Sequence, residues 1–549
     1  MKTIRAVWHK LSSQSNWKKN WLTYFTLWSW LLYFAWIWYQ QFIFKDDGVY
    51  AGWVGSWADG AVHLTYASRF AFGPFGSYQL PVYAQHPFTY AFVADMLTGL
   101  TTKFTGISIF LSHQLWGFVL TALVIYLLFR FYRKITHSKT VATLALSLFF
   151  LSGGFGFKYF YEDIKTQGFF TTITRLPRQY THLPDQGLEW INLISGELIP
   201  QRAMLLGLIV GLLLLTWYWQ IVTDKRSFAP RDFLVMGLVL GLLPIIHPHT
   251  FMVMTGLGVW SLLLTVRRLK FKWAYFVLPA VGLSLVLISI FVSPATEAGF
   301  ISWKLGWLAP KHNLSSLSFW LLNWGLFLPL AFVGIVKLSS KQRLFLFPFL
   351  VLFVLANLWI FQPYDWDNTK LFTWVHLAFS ISVAQLLVSL SRRSVTRILV
   401  PVLVLVLVAS GGLDALRLLD IDQNIIPMYA TEELLMAEKI KADTEPTSLF
   451  LTSDRHSHPV PTLTGRQILM GYRGWLWTYG ITDTQRAADV AAMYAGGVQA
   501  ENLFNQYQVD YVVIGPHEQQ TLAVNQNYFS QNHRLWYQSD NYFIYHVNR

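Results

Sequence analysis

Long apolar stretches recur along the first 417 of the 549 residues, and they constrain the fold more than any other feature. Most are about 17–25 residues long, which is the length that a helix needs to cross a bilayer. The fifth and sixth are shorter and flank a tight turn. Hydrophobic residues make up 54% of the chain and charged residues only 13%, against about 25% charged residues in a typical soluble domain. The pattern predicts a mainly α, polytopic membrane protein with about 11 transmembrane helices. The stretches are residues 20–41, 107–129, 140–158, 203–221, 233–247, 252–266, 273–293, 317–336, 344–362, 371–391 and 398–417.

The Lys and Arg residues are concentrated in short segments between these stretches. Six segments that would face one side of the membrane hold 22 of the 42 Lys and Arg residues and only two acids, Asp224 and Asp232. Short loops rich in Lys and Arg stay in the cytoplasm. The sequence therefore predicts a multi-pass cell-membrane protein with a cytoplasmic N-terminus and an extracytoplasmic C-terminus. The segments are residues 1–19, 130–139, 222–232, 267–272, 337–343 and 392–397.

The net charge of +13 could suggest nucleic-acid binding, but the basic residues are spread over six loops and do not form one groove. We therefore interpret the charge as a topology signal. The chain has no Cys, which excludes disulfides and Cys-ligated metals.

The segments predicted on the outer side are long enough to build a site. Residues 1–417 are expected to form a transmembrane module with outer loops at 42–106, 159–202 and 294–316. Residues 418–549 are predicted to form a small extracytoplasmic α/β domain, because short apolar strands alternate with helical patterns there. The strands are expected at residues 448–453, 509–515 and 541–547, and helices at 431–443, with Thr431 as the N-cap, and at 488–496.

The first outer loop contains the densest group of candidate residues. Asp46 and Asp47 follow the first apolar stretch. Two adjacent carboxylates at the boundary of a membrane cost free energy unless water solvates them or they serve a function. Adjacent residues point in different directions, so one could face a reacting group while the other orients it or holds a cation. Asp59 and His63 are four residues apart, so on a helix the carboxylate could orient the imidazole. His86 begins a second helical pattern, and each of these residues could also be an ordinary loop group.

Two further outer segments combine acids, histidines and an aromatic ring. In His247-Pro248-His249, the proline forces His247 out of the helical region. In an extended segment, residues two positions apart point to the same face, so both rings could lie together. The two rings could hold a phosphate or a metal, or simply cap a polar turn. In residues 365–370, Asp365 and Asp367 would flank Trp366, followed by Lys370. This combination suits a sugar, because the carboxylates can accept hydrogen bonds from its hydroxyl groups while the aromatic ring stacks on its C–H face. A polar turn between two spans would have a similar sequence.

The outer segments also supply cations for a phosphate, since Arg suits bidentate binding. Candidates are Arg175, Arg178, Lys304 and Lys370, although single loop charges are often ordinary. In the tail, His458 and Arg466 precede a cluster of Gly and Trp residues at 471–477 that could contact a ligand or serve the domain's own packing.

The chain resembles the GT-C superfamily of integral membrane glycosyltransferases. The shared features are the many apolar spans, the pair Asp46-Asp47, the aromatic helices of the first loop and the α/β tail. Segments 247–251, 365–370 and 458–477 resemble a bacterial branch of that superfamily. The resemblance covers essentially the whole chain.

Membership would imply inverting transfer of a sugar from a polyprenyl-phosphate-linked donor to a glycan, lipid or protein acceptor at the outer face. One of Asp46 and Asp47 would be the base that deprotonates the acceptor hydroxyl. Some members use a divalent metal such as Mg or Mn and others do not. Asp47, His247 and Asp367 would be the candidate ligands here, and the cofactor stays unknown.

Three alternatives remain open at the level of sequence. A transporter or lipid flippase would need polar residues within its spans and paired broken helices. A ligase or transferase of another lipid-linked group would share most of the same features. A membrane scaffold whose tail binds a partner would tolerate loss of Asp46 and Asp47.

Overall fold

The computed structural model of the chain describes residues 14–74, 76, 78–89, 91–224, 228–291 and 301–548, with side chains from residue 20 onward. Most of the predicted basic N-terminal segment, residues 225–227 and residues 294–300 therefore lie outside the described residues. Helices account for 69% of the structure.

The first 417 residues form a helical bundle with short irregular connections. A π-helical turn spans Ile194–Leu198, and a 3-10 turn spans Asp365–Asn368. Two residue pairs, β3 (Ser302–Trp303) and β4 (Trp359–Ile360), form a small antiparallel sheet. The helices are α1 (Gln14–Tyr39), α2 (Val54–Phe72), α3 (Val93–Thr105), α4 (Ile109–Thr136), α5 (Lys139–Leu151), α6 (Phe157–Gln167), α7 (Phe169–Thr174), α8 (Arg202–Thr223), α9 (Pro230–Ile246), α10 (Pro248–Leu269), α11 (Ala274–Phe291), α12 (Ser316–Trp324), α13 (Phe327–Ile335), α14 (Ser340–Ala356), α15 (Thr369–Ser391), α16 (Ser394–Arg397) and α17 (Leu399–Arg417).

Each of the eleven predicted apolar stretches contains a helix, but not all are straight spans. Five described segments are long and apolar enough to cross a membrane, or six if the bent pair α12–α13 counts as one. The pair bends by 99° at Gly325, whose φ of +54° is one that glycine adopts far more readily than other residues. Helix α5 has only 13 residues, or about 20 Å at 1.5 Å per residue. The number eleven therefore stays a prediction.

Burial separates the central helices of the bundle from the peripheral ones. Helix α15 lies in the centre, and 89% of its most apolar 18-residue segment is buried. In the corresponding segment of α10–α11 only 17% is buried. Leu278 and Leu285 on α11 and Leu405 on α17 expose more than half of their surface. Contiguous apolar surface of this kind is rare on soluble proteins. It suits contact with lipid, in agreement with the membrane-spanning helices.

The two ends of the bundle differ in chemistry. Contacts connect four of the predicted basic segments at one end. Gln342 donates to the Ile135 carbonyl over 2.9 Å, Lys341 to the Thr223 carbonyl over 3.3 Å, and Arg268 to the Asp224 carbonyl over 2.7 Å. Helices α8 and α10, of 22 residues each, end here after running about 33 Å. The acids and histidines described below lie where the same helices begin. Which side of a membrane each end faces stays a prediction.

The first outer loop and the tail share a sheet. Strands β1 (Phe42–Lys45) and β2 (Gly48–Ala51) form an antiparallel hairpin, and β5 (Ile426–Ala430) of the tail pairs with β2. The two predicted loop helices are present as α2 and α3. The tail is therefore joined to the first loop by backbone hydrogen bonds.

The tail continues as a five-stranded mixed sheet with helices around it, in agreement with the α/β pattern of the sequence. The strand order is β7-β6-β8-β10-β9, with β6 parallel to β7 and β8. All three predicted strands are present, as β6, β8 and β10. Ala430, one residue before the predicted Thr431, is the N-cap of the first long tail helix, and its N–H donates to the Glu433 carboxylate over 2.9 Å. The tail elements are α18 (Ile421–Asn424), α19 (Thr431–Asp443), β6 (Leu449–Leu451), α20 (Pro459–Thr464), β7 (Gln467–Ile468), α21 (Arg473–Thr478), α22 (Thr484–Ala495), α23 (Val498–Tyr507), β8 (Tyr511–Ile514), α24 (Pro516–Thr521), α25 (Gln526–Asn532), β9 (Arg534–Gln538) and β10 (Phe543–His546).

Candidate active site

Three carboxylates surround one buried lysine where α15 begins. The Lys370 Nζ lies 3.0 Å from Asp367 Oδ1, and Lys370 also interacts electrostatically with Glu197 and Asp59. Lys370, Asp367 and Glu197 are buried, and Asp59 is half-buried. Buried acids are found almost only where they are paired or used. We call Asp59, Glu197, Asp367 and Lys370 the carboxylate cluster.

Local structure explains how residues distant in sequence meet here. The Asn368 side chain donates to the carbonyls of Ala356 and Trp359 over 2.9 and 2.7 Å, which fixes the turn before α15. Thr369 donates to Glu197 Oε1 over 2.7 Å, and so connects α15 to the π-helical turn. Gln201, just before α8, donates to Asp59 Oδ2 over 2.9 Å. The first loop, the second loop and the last outer turn therefore meet at one place.

Burial controls the charge of two of these acids. It raises the pKa of Glu197 to about 7, although Lys370 and the hydroxyl of Thr369 partly offset the effect. It also raises the pKa of Asp59, against the opposing influence of His63 and Lys370. Glu197 Oε2 is buried without a hydrogen-bond partner among the described residues. A carboxyl with a raised pKa can exchange a proton near neutral pH, as a general acid or base must.

Two histidines lie beside the cluster, where α9 gives way to α10. The prediction that Pro248 forces His247 into an extended conformation is confirmed, with φ −163° and ψ 101°. Both His247 and His249 are buried, their ring centroids are 5.5 Å apart, and both interact electrostatically with Lys370. His247 Nδ1 also accepts from the Thr250 backbone N–H over 3.3 Å, so this ring caps α10 as well.

The predicted aromatic turn is held by contacts to other outer loops. Trp366 Nε1 donates to the Glu189 carbonyl over 3.0 Å, and the Asp365 carboxylate pairs with Lys304. The Glu189 carboxylate is buried and lies 3.0 Å from Lys311 Nζ and 2.7 Å from His312 Nε2. The structure therefore places three cationic or imidazole groups beside Trp366.

His63 is buried beside a different carboxylate from the one that the i, i+4 spacing indicated. Its Nδ1 lies 3.0 Å from both carboxylate oxygens of Asp95 on α3, and its Nε2 lies 2.9 Å from the Pro200 carbonyl. Asp59 instead accepts from Gln201 over 2.9 Å, and the charge of His63 opposes the effect of burial on the pKa of Asp59. The orienting carboxylate is therefore Asp95, which comes into contact because α2 and α3 pack together.

Asp46 and Asp47 are exposed, in the turn between β1 and β2. The Asp47 carboxylate accepts from the Tyr50 hydroxyl, and the backbone carbonyls of both residues accept from Thr431. Among the described contacts, none connects either acid to the carboxylate cluster. Their predicted catalytic role stays a prediction, but the structure does not bring them together with His247 and Asp367.

The remaining candidates lie apart from the cluster. His86 is half-buried in the loop before α3, Arg175 is exposed, and Arg178 pairs with Asp163. His458 is buried in the tail, 3.2 Å from Glu518. Arg466 donates to backbone carbonyls of Phe72, Lys441, Thr444 and Thr464 over 2.7–3.1 Å, and its contacts join the tail to the end of α2.

The candidate metal ligands Asp47, His247 and Asp367 do not form one group. No set of three or more His, Asp or Glu side chains in the described part of the chain is arranged to hold a metal ion. The residues therefore do not fit a metal site, and a requirement for Mg or Mn stays a prediction.

Sequence reasoning missed Glu197, Gln201, Asp95 and Glu189. Glu197 did give a signal, because it is a lone acid in the apolar run Leu193–Ile199, where an unpaired charge is costly. Asp95 gave none, because its partner His63 is 32 residues away on another helix.

No protein-family model and no curated protein sequence matches the chain. Solved structures do resemble it. ArnT from Cupriavidus metallidurans, bound to undecaprenyl phosphate, is 10% identical with a TM-score of 0.49, covering 96% of this chain and 98% of ArnT. The oligosaccharyltransferase AglB from Archaeoglobus fulgidus, in complex with an inhibitory peptide and a dolichol-phosphate, is 12% identical with a TM-score of 0.44, covering 92% and 70%. A complex of the Archaeoglobus fulgidus oligosaccharyltransferase with Zn and sulfate is 11% identical with a TM-score of 0.38, covering 94% and 72%.

These neighbours are GT-C superfamily membrane glycosyltransferases, the superfamily that the sequence resembles.

Proposed function

We propose that this chain is a membrane glycosyltransferase that moves a sugar from a polyprenyl-phosphate-linked donor to an acceptor at the outer face of the membrane. The carboxylate cluster, buried at one end of a bundle with apolar sides, is the observation that supports this function best. A lipid-linked donor cannot leave the bilayer, so its enzyme needs an apolar surface beside a polar pocket. This chain has exposed apolar helix surfaces and, at one end of the bundle, the polar cluster.

Asp59 is the candidate base that the geometry favours. Its carboxylate belongs to the cluster, receives one hydrogen bond from Gln201, and has a pKa raised by burial. A raised pKa makes the ionised form a stronger proton acceptor. Asp46 and Asp47 remain the alternative bases, and their exposure in the hairpin turn makes them weaker candidates.

The proposed reaction is a single displacement at the anomeric carbon of the donor sugar. The acceptor hydroxyl gives its proton to the base as its oxygen bonds to the anomeric carbon. The bond from that carbon to the phosphate oxygen breaks, and its electron pair stays on the lipid phosphate. This attack inverts the configuration of the sugar.

Negative charge that develops on the leaving phosphate needs nearby cations. Lys304 is already paired with Asp365, and Lys370 lies within the carboxylate cluster. Lys311 and His312 both contact the Glu189 carboxylate, and the Glu189 carbonyl accepts from Trp366, so this lysine and the N–H groups of the imidazole are the donors near the turn. We assign the phosphate to this side of the turn.

The experiment uses the full-length protein in nanodiscs. Its co-purifying lipids are extracted and analysed by mass spectrometry. Release of undecaprenyl phosphate is then measured from undecaprenyl-phosphate-linked glucose, mannose and N-acetylglucosamine, with methyl glycosides of glucose, galactose, mannose and N-acetylglucosamine supplied as acceptors. We expect a polyprenyl phosphate or its sugar in the extract. We expect Asp59→Asn to retain that lipid and to lose at least about 100-fold in release, the scale of a general base.

Asp46→Asn and Asp47→Asn are the matched controls, since both remove a carboxylate from the same loop. Release at the wild-type rate by Asp59→Asn, with loss in either control, would move the base to the hairpin turn. Absence of any polyprenyl lipid, together with no release from any donor, would contradict the function itself.

A further inference from the structure

Only two aromatic side chains of the tail are widely exposed. Within residues 426–548, which the structure describes completely, Tyr472 is 42% exposed and Trp477 is 53% exposed, while the other aromatic residues are buried or partly buried. Both lie on α21, Tyr472 as its N-cap, and Leu476 of the same helix is buried in the tail core. Exposure of large rings on one short helix costs solvation energy, so it calls for a reason.

The Trp477 ring faces the bundle, and the Tyr472 ring is connected to it through His456. The Trp477 ring centroid is 6.2 Å from that of Tyr364, which is itself 45% exposed and directly precedes Asp365. The Tyr472 ring centroid is 5.9 Å from that of His456. The His456 ring in turn packs 4.1 Å from that of Trp57.

Two of the contacted rings belong to segments that carry residues of the carboxylate cluster. Trp57 precedes Asp59 by two residues on α2. The Tyr364 ring centroid lies 6.4 Å from that of Trp366, between Asp365 and Asp367 in the chain. Burial raises the pKa of Tyr364, and the charges of Asp367, Glu189, Asp365 and Asp59 add to that effect. Exposed rings from the tail and the bundle thus lie next to groups that accept hydrogen bonds.

This combination matches the two faces of a sugar. The apolar C–H face of a pyranose packs against an aromatic ring, while its hydroxyl groups donate to carboxylates or to a tyrosine oxygen. An aromatic ring with one polar end suits such a boundary. Tyr364 and Trp477 are both about half exposed, so this side of the turn meets water, whereas a lipid-linked donor approaches from the bilayer.

We propose that Tyr364, Tyr472 and Trp477 form a saccharide-binding subsite that takes a sugar ring of the acceptor between the tail and the bundle. The assignment to the acceptor rests on the proposed function. The acceptor is therefore a glycan, or a molecule that ends in one.

The test uses the full-length protein in nanodiscs and saturation-transfer difference NMR. The probes are the methyl glycosides of glucose, galactose, mannose and N-acetylglucosamine. We expect at least one glycoside to show transfer to its C–H protons. Trp477→Ala and Tyr364→Ala should weaken its binding about tenfold, with partial recovery in Trp477→Phe. Trp28→Ala is the control, because Trp28 is 60% exposed but lies in the middle of α1.

An interfacial membrane anchor is the rival explanation for an exposed Trp. Because the chain has no Cys, a spin label attached to Trp477→Cys reports its surroundings alone. Accessibility to a water-soluble nickel relaxant excludes a membrane anchor at this position and supports the subsite. Accessibility to oxygen at membrane depth, or equal glycoside binding by the wild type and Trp477→Ala, would overturn it.

The outcomes also separate the subsite from the proposed function. Co-purified polyprenyl phosphate and release from a donor, with no glycoside bound by the wild type, would remove the subsite and leave the function intact. Glycoside binding that depends on Trp477, without any polyprenyl lipid or release, would leave a saccharide site and remove the transferase.

Discussion

Glu197 is a single side chain whose burial sets a pH dependence. Its pKa is raised from 4.5 to about 7, first by burial, so the folded protein holds a proton that the unfolded chain releases above about pH 4.5. The stability from this proton is fully present below about pH 4.5 and is lost as the pH rises through about 7.

Glu197→Gln should remove this dependence, because the amide keeps the shape of the neutral carboxyl and cannot ionise. We expect the apparent melting temperature of the wild type to fall relative to that of Glu197→Gln between pH 5 and pH 8. The full effect corresponds to about 3 kcal/mol of unfolding free energy. Thermal unfolding of the protein in nanodiscs, followed by tryptophan fluorescence across that range, measures it.

Glu438→Gln is the control for this prediction, because the Glu438 side chain is 72% exposed and pairs only at the surface. Its melting curve should follow the wild type at each pH. Parallel pH profiles for Glu197→Gln and the wild type would show that Glu197 is ionised throughout.

At the scale of single residues, the sequence predicted those conformations that neighbouring residues determine. Pro248 fixes the backbone of His247, so the extended conformation of that residue followed from its neighbour. The two rings do lie 5.5 Å apart, but His249 is in the first turn of α10 and not in the extended segment from which the sequence predicted a shared face. The Asp95–His63 contact depends on how α2 packs against α3, and no local pattern encodes that. The spacing of four residues indicated Asp59 as the carboxylate that orients His63. Asp59 is near His63 in sequence, but it accepts a hydrogen bond from Gln201.

At the scale of elements, the connection between tail and bundle depends on β5 and Arg466. Strand β5 pairs with β2 of the first loop. Arg466 is only 2% exposed, and its donors reach carbonyls on α2, α19 and α20. A buried guanidinium with this many acceptors is costly to replace, because the carbonyls lose their donors together.

Arg466→Met should loosen the tail. We expect a loss of about 3 kcal/mol of unfolding free energy, the scale of a broken buried polar network. Limited proteolysis should cut the tail of Arg466→Met faster than that of the wild type. Arg473→Met is the matched control, because Arg473 forms an exposed pair with Asp483, worth about 1 kcal/mol or less. Equal cleavage of the two variants would contradict the role of Arg466.

The elements themselves were largely predictable, because apolar length and alternation are local signals. Helices lie in all eleven apolar stretches, and β6, β8 and β10 lie where short apolar runs predicted strands. The break at Gly325 was missed because the run 317–336 stays apolar through the bend. Strand β9 was missed because Arg534–Gln538 has no continuous apolar run.

At the scale of the whole molecule, the polar site and the basic loops occupy opposite ends of the same helices. Lys370 lies at the start of α15, and Arg392 follows its last residue, 23 residues of helix later. A basic end and an acidic end separated by the length of a membrane span define an orientation. This asymmetry is what the topology prediction requires.

Single cysteines test that orientation, because the natural chain has none. In cells, Ser302→Cys and Ser530→Cys should react with a membrane-impermeant maleimide from outside, and Ser339→Cys and Ser394→Cys only after permeabilisation. All four positions are exposed in the structure, so differences in labelling report the side of the membrane. Labelling of Ser339→Cys in intact cells would invert the predicted topology.

The shared sheet of hairpin and tail has a consequence for biosynthesis. Val49 pairs with Tyr429, so the last partner of the hairpin is made about 380 residues after it. At 5–20 residues per second, the ribosome needs roughly 20–80 s to supply that strand. The free edge of β2 therefore remains unpaired while nearly the whole bundle is inserted. A chain that stops before residue 426 would leave these backbone N–H and C=O groups available to other nascent chains and to cellular quality control.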